Sequence, residues 1–335
     1  MDGFGVSDLS RGYGLRAINL DLNRALVQLS EEVVTGRASD TTLRLNAQFS
    51  FLTQIETDLV QTQARAEALT EVAITAQAQQ TALGRVVDNA NDMFNTLAVA
   101  QNDAGALTAS SLAEQARGIL DTMMAALNSN QGGRYAFSGV EVDTPPLVSS
   151  ADLLSDLTTA ISSATTEIEL RMLVDDFFDQ PTGGFASGTY QGATQNLSPI
   201  NLGNGETVTL TLRADDPALR EMLKAVAIMA VADEPSLSIP DALRRPLIMN
   251  QTDAVLNARS EVIELRAQLG FSEERLDRST TRLETEQTTL ELARSDLIDV
   301  DAFEAATALE AVRQQLETLF SVTARTQNLN LVNFL

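Results

Sequence analysis

Apolar residues recur at helical spacing near the N-terminus of this 335-residue chain. Steps of three and four residues place side chains on one helical face, so a first series predicts a helix that Gly36 would stop. A second series, at seven-residue intervals within residues 41–99, predicts one long helix with a seam of alternating large and small residues. The first series is Leu15, Ile18, Leu22, Leu26, Leu29 and Val33; the second is Ile55, Thr62, Leu69, Ala76, Leu83, Ala90 and Leu97.

The C-terminal side repeats the heptad more regularly. Its leucines lie seven residues apart without a miss, whereas the companion line of seam positions mixes small, polar and apolar residues. Such a seam is too weak for a free two-stranded zipper, so we predict that this helix packs on the N-terminal helices, with the Ile55 line facing the Leu269 line. The leucines are Leu269, Leu276, Leu283, Leu290 and Leu297.

The middle of the chain has a different pattern. All eight prolines lie between Pro145 and Pro246, and proline disrupts helix interiors. Residues 207–212 alternate polar and apolar after a Gly203–Gly205 turn, which predicts a hairpin strand, whereas 150–178 and 217–231 are typical of helices. The predicted fold class is therefore mainly α: a long helical bundle or coiled coil formed by the N- and C-terminal segments, with an inserted small α+β domain.

These patterns predict five segments along the chain. Residues 1–36 would be an N-terminal arm and terminal helix, 37–130 and 247–301 the two halves of the bundle, 131–246 the inserted domain, and 302–335 a C-terminal helix. Four glycines within residues 1–14 predict a mobile arm, with order starting near Leu15. The two terminal segments would fold either against neighbouring subunits in a polymer or within the monomer, and composition leaves both open.

Composition narrows the function classes. Cysteine and histidine are absent, which removes thiolate sites, disulfides, the usual general base and the commonest metal ligand. A net charge of −23 argues against binding to nucleic acid or to an anionic membrane. The N-terminal sequence lacks a cleaved export signal, and no apolar run is long enough to span a bilayer. We predict no cofactor and no membrane insertion.

Two groups of charged residues could carry chemistry, and neither has the required pattern. Carboxylates cluster at 175–179 and 296–301 but lack the spacing of a calcium loop, so we interpret them as solvated charge. Lys224, the only lysine, lies in an amphipathic helical segment without a serine at a known dyad spacing. The sequence therefore predicts no metal site and no catalytic residue. A carboxylate-only hydrolase would need two acids facing one cleft, which the sequence leaves open.

Two terminal motifs resemble signatures of the flagellin superfamily. Residues 293–303, Ala-Arg-Ser-Asp-Leu-Ile-Asp-Val-Asp-Ala-Phe, are similar to its C-terminal signature, with Asp299 and Asp301 as the Asp-x-Asp pair. Residues 29–37, which include Gly36, resemble the N-terminal Leu-Ser…Thr-Gly-Arg counterpart. This chain departs from the family in lacking a Thr-Asn-rich opening and in carrying Glu31 and Glu32 where small residues are usual.

Two further segments resemble the hook-associated proteins of the hook–filament junction, of the hook-associated protein 3 type, more than filament flagellins. Residues 135–147, Tyr-Ala-Phe-Ser-Gly-Val-Glu-Val-Asp-Thr-Pro-Pro-Leu, are similar to a junction-protein segment and contain Gly139, Pro145 and Pro146. The chain end, residues 323–335, contains none of the proline typical of filament flagellins.

The resemblance implies a structural protein that is not an enzyme. Such proteins leave the cell through the flagellar type III export apparatus with an export chaperone and without a cleaved signal. They then assemble as a ring of identical subunits outside the cell, between an adjacent hook-associated protein and flagellin. The alternatives are a filament flagellin and a cytoplasmic coiled-coil scaffold.

The predicted interface residues, between subunits or within the bundle, follow from the heptad lines and the terminal segments. They are Leu15, Ile18, Leu22, Leu29, Ile55, Leu69, Leu83, Leu97, Leu269, Leu276, Leu283, Leu290, Leu297, Leu316, Phe320, Leu331 and Phe334.

Overall fold

The computed structural model describes residues 5–40, 49–102, 107–203, 205–237 and 239–332, with only the backbone described at 5–12 and 326–332. This part of the chain is mainly helical with two short hairpins, which confirms the predicted fold class. The helices are α1 Gly5–Thr35, α2 Phe49–Asn102, α3 Ala109–Leu127, α4 Ser150–Ile161, α5 Glu167–Asp179, α6 Pro217–Val231, α7 Asp241–Met249, α8 Thr252–Ile298 and α9 Ala302–Val332.

The strands form two separate antiparallel hairpins. In the first, β1 (Asn130–Gln131) pairs with β2 (Arg134–Tyr135) across Gly132 and Gly133, both at positive φ. In the second, β3 (Ile200–Gly203) pairs with β4 (Glu206–Val208), with a register irregularity between Asn201 and Gly203. One turn of π-helix, Phe185–Thr189, lies between α5 and β3. None of the helices described has a stretch both long and apolar enough to cross a bilayer.

The chain divides into two compact units. One contains residues 1–63 and 284–335, where α1 and α9 pack on each other. The other contains residues 64–283 and the main hydrophobic core. In this second unit α6 is buried along nearly its whole length and packs mostly against α3. The five-segment division of the chain stays a prediction.

Local signals explain several helix boundaries. Asp216 caps α6 by accepting a hydrogen bond from the Ala218 amide at 3.1 Å, and Pro217 occupies the first turn, where its missing N–H costs nothing. At the start of α5, the Thr166 hydroxyl accepts from the Glu169 amide at 3.2 Å. The Glu169 carboxylate in turn accepts from the Thr165 amide at 2.9 Å, and this bond lowers the pKa of Glu169.

The structure corrects two sequence predictions and gives the bounds of a third. The prediction of a mobile arm is wrong for residues 5–14, because α1 begins at Gly5. A glycine destabilises a helix by only about 1 kcal/mol and helix propagation is cooperative, so the glycines do not interrupt α1. The long helix predicted over 41–99 covers Phe49–Asn102, and residues 41–48 lie outside the described part of the chain. Of the strand predicted over 207–212, only 207 and 208 pair, within β4. Leu210 and Leu212 are nevertheless buried, so the alternating pattern reflects which side chains face the core and does not require pairing with another strand.

Candidate functional site in the terminal helix pair

The terminal helices α1 and α9 pack along complementary heptad lines. In α9 the side chains of Ala305, Leu309 and Leu316 are buried and those of Val312 and Leu319 are half-buried, so these apolar residues recur at steps of three and four. In α1 the half-buried large apolar residues repeat at steps of three, four or seven. These residues are Leu15, Leu22, Leu26, Leu29 and Val33. The spacing is that of a two-helix seam, in which each side chain inserts between residues of the facing helix.

At one end of this pair, the two terminal sequence motifs meet in a short backbone clasp, residues 36–38 and 298–300. Arg37 and Asp299 lie opposite each other as an antiparallel bridge pair. The Ala38 amide donates to the Ile298 carbonyl at 2.8 Å, and the Val300 amide donates to the Gly36 carbonyl at 3.0 Å. Two segments that the sequence singled out independently are therefore hydrogen-bonded to each other.

The geometry of the clasp depends on Gly36. Its φ of +71° lies in the left-handed region, which glycine adopts without the steric cost that a Cβ would bring. Its amide donates to the Glu32 carbonyl at 2.8 Å, which ends α1 as the sequence predicted. The Glu32 carboxylate accepts hydrogen bonds from the amide and hydroxyl of Ser39, at 3.0 and 3.1 Å. Glu32, which departs from the family pattern, thus fixes the chain direction after the helix.

The Asp-x-Asp pair divides into two structural roles. Asp299 lies in the bridge, accepts a hydrogen bond from the Ser295 hydroxyl, and has its carboxylate 3.9 Å from the Arg37 guanidinium. Asp301 caps α9, because its carboxylate accepts from the amides of Phe303 and Glu304 at 2.8 and 3.1 Å. The motif therefore ends one helix, crosses the clasp and starts the next.

The predicted interface residues of the terminal helices fall into three groups. Leu15, Leu22, Leu29 and Leu316 lie in the seam between α1 and α9. Ile18 and Phe320 are exposed, at 50% and 59% of their accessible surface. The Leu331 side chain and Phe334 lie outside the described residues.

The predicted interface residues of the two long helices, α2 and α8, are buried or half-buried. In the first unit, Ile55 is buried and Leu290 and Leu297 are half-buried. In the second unit, α2 and α8 run antiparallel: the Arg259 guanidinium donates to the Asn91 side chain at 2.8 Å, and the Gln101 amide donates to the Thr252 hydroxyl at 3.1 Å. The buried predicted residues of this unit are Leu69, Leu83, Leu97, Leu269, Leu276 and Leu283.

The Phe-Ser-Gly…Pro-Pro segment has a structural role in the second unit. Ser138 is fully buried, and its hydroxyl donates to the Thr144 carbonyl at 2.5 Å. Gly139 has φ +64°, and a Cβ there would lie 2.3 Å from the Gln195 carbonyl oxygen. Pro145 is half-buried; Pro146 is buried, and its carbonyl accepts from the Gln191 amide at 2.8 Å. The segment therefore holds the following loop against the core.

Lys224, the one candidate nucleophile, is held in a cluster of carboxylates. Its amine lies 2.7 Å from Asp179, 2.9 Å from Asp175 and 3.2 Å from Glu221. Burial works against the charge, but the hydrogen bonds to Asp179 and Asp175 outweigh it and raise the pKa of Lys224. A protonated, ion-paired amine is a poor nucleophile. Among the described residues, no acidic group has the arrangement of a metal site.

Sequence reasoning missed one feature of α1. Four large apolar side chains, Tyr13, Leu20, Val27 and Val34, lie on its exposed surface. They are spaced by seven residues, as the seam residues are, and this periodicity was the signal that could have found them.

Comparison with known proteins gives one family match and several structural likenesses. The chain is similar to a solved Vibrio parahaemolyticus protein described as a flagellar hook-associated protein, with 16% identity, 75% of this chain and 99% of that chain covered, and a TM-score of 0.47. It is also similar to FlgL of Bacillus cereus, with 15% identity, 76% and 100% coverage, and a TM-score of 0.39. A comparison with curated proteins finds no match.

The family match covers the C-terminal part of the chain. Residues 252–335, which include α8, the C-terminal side of the clasp and α9, match the family described as the bacterial flagellin C-terminal helical region. These residues contain the Asp-x-Asp motif on which the sequence resemblance rested. Residues 252–335 therefore match a flagellin C-terminal helical region, which agrees with the resemblance to the flagellin superfamily seen in the sequence motifs.

Proposed function

We propose that this chain is a structural hook-associated protein of the bacterial flagellum that joins hook to filament by assembling into a ring through its terminal helices. The observation that carries the proposal is the clasp. It joins the motif preceding residue 38 to the flagellin C-terminal region by backbone hydrogen bonds at 2.8 and 3.0 Å. The clasp brings both chain ends into one helix pair, a unit that can be repeated around a ring of subunits.

The junction role, as opposed to the filament role, is supported by the middle of the chain. The Phe-Ser-Gly…Pro-Pro segment that resembles junction proteins is built into the core, with Phe137 and Ser138 fully buried. Neither side chain is available for binding a partner, so the segment acts by fixing the fold of the 64–283 unit. The proposed partners are copies of this chain, an adjacent hook-associated protein, flagellin, an export chaperone and the flagellar type III export apparatus.

The proposed location is the extracellular flagellum, at the hook–filament junction. Assembly is the mechanism, and no step of it requires catalysis. The ion-paired state of Lys224 agrees with a non-enzymatic role, since the amine is occupied by three carboxylates.

The deciding experiment is deletion of the gene, followed by electron microscopy of the cells and immunoblotting of the medium for flagellin. We expect bare hooks with flagellin accumulating in the medium, because exported subunits would lack a platform on which to polymerise. Re-expression of the intact chain should restore filaments, which controls for effects on neighbouring genes. Normal filaments in the deletion strain would overturn the proposal and favour a cytoplasmic coiled-coil scaffold.

A second candidate function is the filament subunit itself. It is favoured by the description of the matched family, which is the C-terminal helical region of flagellin. In that case the deletion would again give bare hooks, but the medium would contain no flagellin. The purified chain would also polymerise onto added filament fragments, whereas a junction protein would not extend them.

A further inference from the structure

A groove runs along one side of α2 within the 64–283 unit. It has a volume of about 790 Å³ and lies between α2, α8 and the segment that joins α3 to the first hairpin. The α2 residues that line it lie at helical spacing from Thr70 to Arg85, so they form one face of the helix, roughly 22 Å long. Ala73, Ala78 and Ala82 on this face are small, which leaves the space between α2 and α8 open.

The floor of the groove is apolar. Ala78 and Ala82 of α2 and Leu276 of α8 are buried there, whereas Ile74, which also lines the groove, is 54% exposed. A large exposed apolar side chain beside an apolar floor is a surface that a further apolar group can cover. The groove therefore favours an occupant with an apolar face.

The third wall of the groove is the segment between α3 and the first hairpin. Ala126, Ser129 and Gln131 line the groove there, and Arg134 of β2 forms an ion pair with Glu71 of α2 at 2.7 Å. All three walls belong to one compact unit. The groove therefore exists in the free chain, and an occupant would bind a site that is already formed.

The α8 side of the groove is acidic. Glu273, Glu274 and Asp277 line it, and Arg85 is the one basic residue among the described lining residues. Glu274 lies 4.0 Å from Arg278 in an exposed pair. Within the described part of the chain, Glu273 and Asp277 have no ion-pair partner. This wall attracts a positively charged occupant.

Glu273 makes that requirement more specific. Its Oε1 atom is closed to solvent and accepts no hydrogen bond from any described residue. Burial raises the pKa of Glu273, because the carboxylate loses hydration without gaining a partner. A guanidinium or ammonium group placed in the groove would donate a charge-assisted hydrogen bond and remove this cost.

We propose that this groove, lined by Ile74, Ala78 and Ala82 on α2 and by Glu273 and Asp277 on α8, binds an amphipathic helix of another protein that carries arginine or lysine beside an apolar face. A helix of about fifteen residues matches the length of the groove. A second copy of this chain is disfavoured as the occupant, because a net charge of −23 makes copies repel each other and the groove itself is acidic. The inference goes beyond the proposed assembly function and does not depend on it.

The first test uses the full-length chain and a fluorescein-labelled synthetic helix of about fifteen residues, with leucine and alanine on one face and arginines beside it. Glu273→Gln with Asp277→Asn should raise the dissociation constant at least about tenfold, measured by fluorescence anisotropy at physiological ionic strength. Glu261→Gln with Glu264→Gln, at exposed acids of α8 outside the groove, changes the net charge equally and should leave the constant nearly unchanged. The same peptide with glutamates in place of the arginines should not bind.

The second test blocks the groove without changing its charge. Ala73→Phe should abolish measurable binding of the arginine peptide, because the ring would occupy the space, and Ala73 is exposed, so the core is not disturbed. Ala267→Phe, at an exposed alanine of α8 outside the groove, is the matched control and should bind as the unchanged chain does. Circular dichroism checks that the helices persist in both variants.

Three results would overturn the proposal. The first is absence of peptide binding by the unchanged chain. The second is an equal loss in the two pairs of acid variants, or binding that persists in Ala73→Phe, because the peptide would then respond only to the overall negative charge. The third is self-association of the full chain, measured by sedimentation, that Ala73→Phe abolishes, because a second copy would then be the occupant.

Discussion

Arg37 and Asp299 lie opposite each other in one antiparallel bridge, although they are 262 positions apart in the sequence. Closing so long a loop has an entropic cost that grows only slowly with length, so a few backbone hydrogen bonds and a packed helix pair can maintain it. Their side chains add little, because the 3.9 Å ion pair is 61% and 44% exposed. The backbone conformation at Gly36 matters more than the charges.

Substitution of Gly36 tests that conclusion. Gly36→Ala should destabilise the chain by about 1–2 kcal/mol, because alanine at φ +71° meets the left-handed penalty although no atom lies within 4 Å of the added Cβ. Gly14→Ala, in the helical part of α1 with equally open space, should instead stabilise by about 0.5–1 kcal/mol. Urea unfolding of both variants checks the pair. Shifts of the same sign would contradict the account.

Gly139 should be far less tolerant than Gly205. Both have positive φ, but a Cβ at Gly139 would lie 2.3 Å from the Gln195 carbonyl oxygen, whereas nothing lies within 4 Å at Gly205. Gly139→Ala should therefore cost about 3 kcal/mol or more, since the backbone must move, and Gly205→Ala about 1 kcal/mol. Thermal melting compares them, and equal losses would show that the 136–147 segment can relax.

The contribution of the buried leucines of α8 to the core can be tested by substitution. Leu276 and Leu283 are only 2% and 3% exposed, so Leu276→Asp with Leu283→Asp would place two charges in the core and should abolish the cooperative thermal transition. Leu292→Asp, at a 62% exposed leucine of the same helix, should change stability by less than about 0.5 kcal/mol. An unchanged transition in the double variant would show that the heptad line does not hold the core together.

The contribution of Lys224 to stability should depend on pH. Its pKa is raised in the folded chain by Asp179 and Asp175, so the stability that it contributes is complete below the unfolded pKa of about 10.4 and is lost as pH rises through the folded value. Lys224→Met should cost about 1–2 kcal/mol, by a constant amount from about pH 6 to pH 9, and less above about pH 10.5. Arg278→Met, in an exposed pair with Glu274, is the control. A cost that changes between about pH 6 and pH 9 would contradict this assignment.

Replacement of Thr189 by valine should stabilise the protein. Its side chain is fully buried, and within the described part of the chain its hydroxyl has no hydrogen-bond partner. Thr189→Val keeps the shape and removes the unsatisfied group, so we expect about 1 kcal/mol of added stability in urea unfolding. Thr81→Val, on the exposed surface of α2, should have almost no effect. A destabilised Thr189→Val would indicate an ordered water at the hydroxyl.

Elements with local signals could be predicted from the sequence. The predicted helix 217–231 coincides with α6, because Asp216 and Pro217 define its start and continuous apolar residues keep it buried. Gly36 ends α1 after Thr35, as predicted. The strand over 207–212 was mostly wrong, because pairing depends on a partner segment: β3 provides one only as far as Val208. Period-two burial continues to Leu212 without that partner.

Local sequence patterns were enough to predict the helical ends, the inserted α+β part and the motifs that resemble the flagellin superfamily, because each depends on residues near one another in the chain. Which segments meet, and which apolar lines are covered, depends on the packing of distant helices and could not be predicted in this way. The lines through Leu15 and Leu20 have the same seven-residue period, and periodicity cannot tell an inward face from an outward one. The position of α9 makes that choice: it covers Leu15, Leu22 and Leu29 and leaves Leu20 and Val27 exposed.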